Sequence, residues 1–317
     1  MCTGIAITSK DFYFGRNLDL NYNFGQKVVI TPRKYTMKYK CDEPNGNHYA
    51  MIGMATIMED YPLYADAINE KGLGMAGLNF DGFSEYEKTE VEGKKNITSY
   101  EIIPWILQNH ETVQQVKDTL KNVVLVDIPF MKGVPCAPLH WIIADRDESI
   151  VLEQTKEGLK VLDNPVNVLT NNPPFKYHMM SLRDYRGISI DNGESTLLKD
   201  IDLKPLGVGM GGIGLPGDSS PNSRFVKAAF LRSNAAWSDD DEENISLFFH
   251  ILDNVAMVKG TVVGNDGNDE YTVYSSCMNG RTGDYIYKTH KHRNTVTINM
   301  YNEDIDGDKL IDKGYLG

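Results

Sequence analysis

A chain of 317 residues with 41% hydrophobic and 24% charged content has the make-up of a soluble globular protein, which excludes the disordered and fibrous classes. Its net charge of −12 speaks against nucleic acid and anionic membrane surfaces as partners, because binders of phosphate present clustered basic faces. No run approaches the ~18 apolar residues of a spanning helix, and Lys10, Asp11, Arg16 and Asp19 stand where a signal peptide keeps an apolar core, so the expected location is cytoplasmic.

The chain opens on an expected hairpin: residues 3–8 alternate apolar positions, Ser9-Lys10-Asp11 turns, and 12–16 favour a strand. Cys2 thereby begins a strand. Further strand-like runs fall at 27–31, 49–54 and 74–78. Two helices are predicted next, at 99–108 with Thr98 or Ser99 as cap and at 112–121 with Val113, Val116, Leu120 and Val123 near helical spacing. Strands return at 139–144, 149–154 and 166–169, separated by turn signals such as Asp145-Arg146-Asp147. Helices at 223–231 and 245–252, the latter through Phe248, Phe249, Ile251 and Leu252, precede late strands at 271–276, 284–288 and 295–300. The order fits neither a βαβ alternation nor an all-β sandwich, and it predicts a layered α+β fold. With no Pro/Ser-rich linker and no internal repeat, residues 1–317 are expected to form one domain.

Several motifs carry less than their form suggests. Gly209-Met210-Gly211-Gly212-Ile213-Gly214 matches GxGxxG, but Pro216 stands where the following helix should propagate, so a loop is expected. Asp304-Ile305-Asp306-Gly307-Asp308 lacks the spacing and closing Glu of a calcium loop. His290 and His292 have no further ligands in view, so no metal site is expected. Cys2, Cys41, Cys136 and Cys277 form no CxxC pair and read as reduced thiols. His140, in an apolar strand, fits either the base of a Cys-His hydrolase or a satisfied core histidine.

Cys2 is set apart by position. Aminopeptidases remove Met before small residues, so Met1-Cys2-Thr3 predicts a mature chain that begins with a thiol beside a free α-amino group. Their ordinary pKa values, about 8.5 and about 7.7–8.0, let the amine take the thiol proton near neutral pH without a histidine. Such a site also needs a cation to hold the thiolate, a carboxylate for the amine and amide donors for an oxyanion. Arg16 and Asp19, in Gly15-Arg16-Asn17-Leu18-Asp19, return beside Cys2 on the hairpin.

With these residues the sequence resembles the choloylglycine hydrolase family. The resemblance rests on Met1-Cys2-Thr3-Gly4, Gly15-Arg16-Asn17-Leu18-Asp19, Asn69-Glu70-Lys71-Gly72-Leu73, Ala76-Gly77-Leu78-Asn79-Phe80, Leu169-Thr170-Asn171-Asn172-Pro173, Gly214-Leu215-Pro216-Gly217-Asp218 and Ser223-Arg224-Phe225, in order from residue 1 to about Cys277. It implies an αββα sandwich of N-terminal nucleophile hydrolases, assembled as a homotetramer and without metal or organic cofactor. It implies Cys2 as nucleophile and base, Arg16 at the thiolate and Asp19 at the α-amine. Asn171 would give its side-chain amide and Asn79 its backbone N–H to the oxyanion, with Arg224 completing the charge network. The family holds bile salt hydrolases and penicillin V acylases. Acylases tend to have Tyr where this chain has Asn79, so glycine- or taurine-conjugated bile salts are the expected substrates and penicillin V the alternative; an oligomeric binding protein of the same fold is the non-enzymatic one. Apolar loops at 20–24, 58–65 and 128–137 are expected to line a steroid cleft through Leu20, Phe24, Tyr61, Leu63, Phe130 and Met131.

Overall fold

The computed structural model describes residues 1–195 and 197–316. Strand β1 (Cys2–Thr8) runs antiparallel to β2 (Phe12–Leu20), with Cys2 opposite Leu18 and Gly4 opposite Arg16. β2 continues past residue 16 because Arg16, Asn17 and Asp19 are buried with Phe14. A polar run normally marks the end of a strand, but here each polar side chain has a buried partner: Arg16 donates to Ala65 O, Asn17 donates to Leu252 O, and Asp19 accepts from Thr272 Oγ1.

The chain continues through β3 (Lys27–Thr31), β4 (Met51–Met58), β5 (Tyr61–Asn69), β6 (Gly74–Asn79) and β7 (Lys95–Thr98). Helices α1 (Ile102–Asn109) and α2 (Val113–Leu120) precede β8 (Val123–Val126). β9 (Leu139–Ala144), β10 (Ser149–Thr155), β11 (Gly158–Asp163) and β12 (Val168–Leu169) lead to α3 (Phe175–Ser181). After α4 (Pro221–Asn234) and α5 (Asp241–Asn254) come β13 (Tyr271–Asn279), β14 (Asp284–Thr289), β15 (Val296–Asn299) and β16 (Ile311–Asp312).

Among the described residues the strands form two antiparallel sheets, ordered β12-β1-β2-β13-β14-β15 and β11-β10-β9-β6-β5-β4-β3-β16, beside a small parallel pair, β7-β8. The sheets face each other where β1 and β2 meet β5 and β6. Helix α4 lies against β1 and β12, α5 against β2 and β13, and α1 against β5 and β6 on the far side. One apolar cluster, with Ile5, Phe14, Leu78, Ile142, Phe225 and Phe248, fills the space between the sheets and under α4 and α5. A second, with Met75, Trp141, Ile102, Ile106 and Val116, joins the other sheet to α1 and α2. The layers run αββα, the arrangement expected from the sequence.

Local departures have local causes. Residues 58–65 are not a loop, because Met58 pairs with Tyr61 across Glu59-Asp60, both at positive φ (48° and 60°), and β5 starts at once. That is the backbone of a tight hairpin, hidden because Glu-Asp lacks the Asn-Gly signature. Helix α1 starts at Ile102 rather than 99, and the Glu101 carboxylate accepts the N–H groups of Lys40 (2.7 Å) and Thr98 (3.3 Å) instead of capping the helix. Helix α5 begins well before 245, with Asp240 accepting from Glu243 N and three acidic residues in the first turn, a favourable match to the helix dipole. Met210–Gly212 is a single 3₁₀ turn, so the glycine-rich segment is the expected loop.

Candidate active site

The hairpin, the end of β6, the end of β12 and the start of α4 converge on Cys2. The Cys2 N–H donates to Asn171 Oδ1 at 2.7 Å, and Arg224 Nη2 donates to the same oxygen at 2.7 Å. Asn171 Nδ2 donates to Asn79 O at 2.9 Å. Two donors on the oxygen and an acceptor on the nitrogen fix the amide's orientation and leave one Nδ2–H uncommitted. Phe80 N donates to Pro138 O at 2.8 Å, and N–H groups alternate sides along an antiparallel strand, so the Asn79 N–H turns away from β9. It turns past the end of the β5 pairing, which reaches only Ala76 on β6.

Arg16 fills that gap. Its Nη1 donates to Ala65 O at 3.1 Å and to Gly77 O, and its Nε donates to Asn17 O at 3.3 Å. Burial works to lower the Arg16 pKa, but Cys2, Tyr274, Asp66 and Asp19 hold it above its ordinary value. Asp66 accepts the hydroxyls of Tyr274 (2.5 Å) and Tyr285 (2.7 Å), and burial pushes its pKa up against the opposing pull of Arg16. Asp19 accepts from Thr272 Oγ1 at 2.6 Å, and burial raises its pKa too. Arg16 Nη2 and Asp19 Oδ2 are buried without a hydrogen-bond partner among the described residues. Leaving a buried polar atom unpaired costs about 1–3 kcal/mol, more for a charged group, so two such atoms of opposite charge on the strand paired with Cys2 point to a binding site.

Arg224, in the first turn of α4, donates through Nε to Ser219 O (2.9 Å) and through Nη1 to Cys2 O (2.5 Å) and Thr3 Oγ1 (2.7 Å). Burial lowers its pKa against the pull of Asp19, Cys2, Glu270 and Asp218. Asp218, which accepts the Ser220 N–H (2.9 Å) and the Ser223 hydroxyl (2.6 Å), is held down to about 2 and braces the start of α4. With Met1 in place, the terminal ammonium donates to Asp19 O (2.5 Å) and pairs with Glu270 Oε2 (3.0 Å), while Met1 O accepts from Asp19 N (2.8 Å).

All six residues expected at the site are therefore brought to one place. Sequence reasoning missed Asp66, Tyr274, Tyr285, Thr272 and Glu270; only the pairing of β13 with β2, which sets Thr272 opposite Asp19, makes one of them findable. His140 is the core histidine: Nε2 donates to Thr170 O (2.9 Å) and Nδ1 faces Glu153 Oε1 (3.2 Å), which leaves no ring nitrogen for Cys2. The six expected cleft residues divide. Tyr61, Leu63, Phe130 and Met131 share a small cluster with Met37, and Leu20 and Phe24 pack on the cluster that contains Cys2.

Four αββα layers with a cysteine at the start of an inner strand define the fold of N-terminal nucleophile hydrolases. A family model described as linear amide C–N hydrolases, choloylglycine hydrolase family, matches residues 2–313. The chain is 45% identical over 311 residues to the bile salt hydrolase/transferase of Lactiplantibacillus plantarum, covering 98% of this chain and 96% of that protein. It is 43% identical over 314 residues to the bile salt hydrolase/transferase of Clostridium perfringens, covering 98% and 95%. A mutant conjugated bile acid hydrolase from Clostridium perfringens superposes with a TM-score of 0.92 at 42% identity, over 100% of this chain and 97% of that one. Penicillin V acylase from Agrobacterium tumefaciens shares the fold, with a TM-score of 0.77 at 18% identity over 98% and 90%. The chain belongs to the choloylglycine hydrolase family, and it is a hydrolase acting on C–N bonds of linear amides.

Proposed function

We propose that this enzyme cleaves the amide of glycine- or taurine-conjugated bile salts, using Cys2 as an N-terminal nucleophile after Met1 is removed. The observation that carries the reading is the Asn171 amide, which gathers the Cys2 nitrogen, Arg224 and Asn79 in one bonded unit. Once Met1 is gone, the Cys2 nitrogen is an amine within 2.7 Å of Asn171 Oδ1, and the unpaired Asp19 Oδ2 is the carboxylate available to it. The amine takes the thiol proton and Arg16 Nη2 stabilises the thiolate. Attack on the substrate carbonyl places its oxygen against the free Asn171 Nδ2–H and the Asn79 N–H. Collapse breaks the C–N bond, the ammonium of Cys2 protonates the departing glycine or taurine, and water hydrolyses the thioester to free bile acid. No cofactor enters these steps.

Arg16→Lys is expected to lower kcat by about 10- to 100-fold with the fold retained, because a single ammonium nitrogen cannot span the Asn17, Ala65 and Gly77 carbonyls and the thiol as the three nitrogens of the planar guanidinium do. Steady-state kinetics with glycocholate, alongside circular dichroism, measures it; an unchanged kcat refutes the role.

The names of the relatives and the apolar cluster around Tyr61 and Phe130 favour a steroid over a small acyl group. The specificity constant for glycocholate is expected to exceed that for penicillin V by at least about ten-fold, since an apolar body gains roughly 25 cal/mol per Å² buried. Phe130→Ala should narrow that gap, and equal constants in the unaltered enzyme would make it an acylase instead. A cytoplasmic homotetramer completes the reading, and the exposed Leu206, Val208 and Ile213 are side chains such an assembly would cover.

A further inference from the structure

We propose that His140 and His178 are a pair of positioning residues that clamp the Thr170-Asn171 segment and thereby aim the Asn171 amide at the reacting carbonyl. The inference rests on the role given to Asn171 above. β12 ends at Leu169, so the next two carbonyls leave the sheet with no ladder partner, and both residues are fully buried. Each carbonyl has its own histidine: His140 Nε2 donates to Thr170 O at 2.9 Å and His178 Nε2 to Asn171 O at 2.8 Å. Gripping the backbone on both sides of the Asn171 Cα fixes the direction of its side chain.

The same two rings register this segment to the rest of the site. His140 stacks on Phe80, the residue after Asn79, with centroids 4.3 Å apart and planes 7° off parallel. His178 stacks on Phe225, the residue after Arg224, at 5.0 Å and 27°. The clamp thus ties three separate segments, carrying Asn79, Asn171 and Arg224, to one another. Its outer edges are fixed as well. Glu153 Oε1 faces His140 Nδ1 and accepts the Phe175 N–H at 2.9 Å, His178 Nδ1 lies 3.2 Å from Asn222 Oδ1, and Thr170 Oγ1 donates to Pro221 O at 2.9 Å. A carbonyl only accepts, so the proton that serves Asn171 sits on His178 Nε2, in a ring whose pKa burial pushes below its ordinary value. Oxyanion donors act by being fixed before the charge develops, so loosening this segment should slow the chemical step and leave substrate binding alone.

The test uses the full processed chain with glycocholate as substrate and iodoacetamide as a probe of Cys2. His178→Phe keeps a ring on Phe225 and loses the donor; it is expected to lower kcat by about 30- to 100-fold with KM within about two-fold and the Cys2 alkylation rate unchanged. His178→Gln, which can place an amide N–H near Asn171 O, should recover most of the loss, a rescue that a merely structural histidine would not show. Where His178→Phe fails to fold, Asn222→Ala frees the ring from its other side and should cost about five-fold in kcat with the same split. An unchanged kcat in the folded variant, or kcat and alkylation falling together, overturns the clamp. Turnover by Cys2→Ala would instead bring down the nucleophile reading, and the clamp with it.

Discussion

A chain that retains Met1 is expected to turn over glycocholate at least about 10⁴-fold more slowly than the processed chain, a loss on the scale of removing a nucleophile outright. In the Met1-bearing chain the Cys2 nitrogen is an amide: it donates its one proton to Asn171 Oδ1 and has no basic lone pair for the thiol. The ammonium that could replace it is held elsewhere, by Glu270 Oε2 and Asp19 O. Met1 also occupies the site, with its sulfur 3.6 Å from Arg224 Nη2 and its carbonyl on the Asp19 N–H. Cys2→Ala should be equally inert. Cys2→Ser should keep only a trace, because a hydroxyl is far less acidic than a thiol in a site that stabilises an anion through Arg16. Intact-mass measurement of each preparation separates retained from removed Met1, and comparable kcat in the two populations refutes the mechanism.

How much of this was legible depends on the range over which each feature is encoded. Cys2 and the Arg16-Asp19 run lie within one hairpin, so alternation and a turn signal were enough to place them side by side. Asn79, Asn171 and Arg224 are remote from Cys2 in sequence, and only the family resemblance joined them before the sheets were seen. Asp66, Tyr274 and Tyr285 stayed invisible for a different reason. A carboxylate at a buried strand position, satisfied by two hydroxyls from the facing sheet, has no local signature, since its partners lie some two hundred residues away. Position 66 also follows an irregularity in the β4-β5 pairing, between Met54 and Ala55, which shifts the alternation that would have assigned its face. His140 was undecidable from sequence because both readings need a histidine in an apolar strand; what settled it was the supply of two oxygen partners from β10 and the end of β12.

Asn171→Ala is expected to lower kcat by about 10²- to 10³-fold, the cost of deleting one oxyanion donor, with KM little changed. The comparison that gives this number meaning is Asn79→Ala, expected to stay within a few-fold, because the group Asn79 contributes is its main-chain N–H and that survives the substitution. The two residues are bonded to each other, yet truncating one removes a donor and truncating the other does not. The Asn171 side chain also holds Arg224 and the Cys2 nitrogen, so its loss leaves Arg224 Nη2 with one hydrogen-bond acceptor fewer in a buried place. That predicts a lower melting temperature, equivalent to about 1–3 kcal/mol, alongside the slower turnover. Asn171→Asp separates the two effects. A carboxylate keeps an acceptor for Cys2 and Arg224 and so should recover part of the stability, less what is lost where its second oxygen faces Asn79 O, but it has no N–H and sets a negative charge against the developing oxyanion, so kcat should fall at least as far as in Asn171→Ala. Recovery of both stability and turnover in Asn171→Asp would show that Asn171 works as a bracket for Arg224 and not as an oxyanion donor.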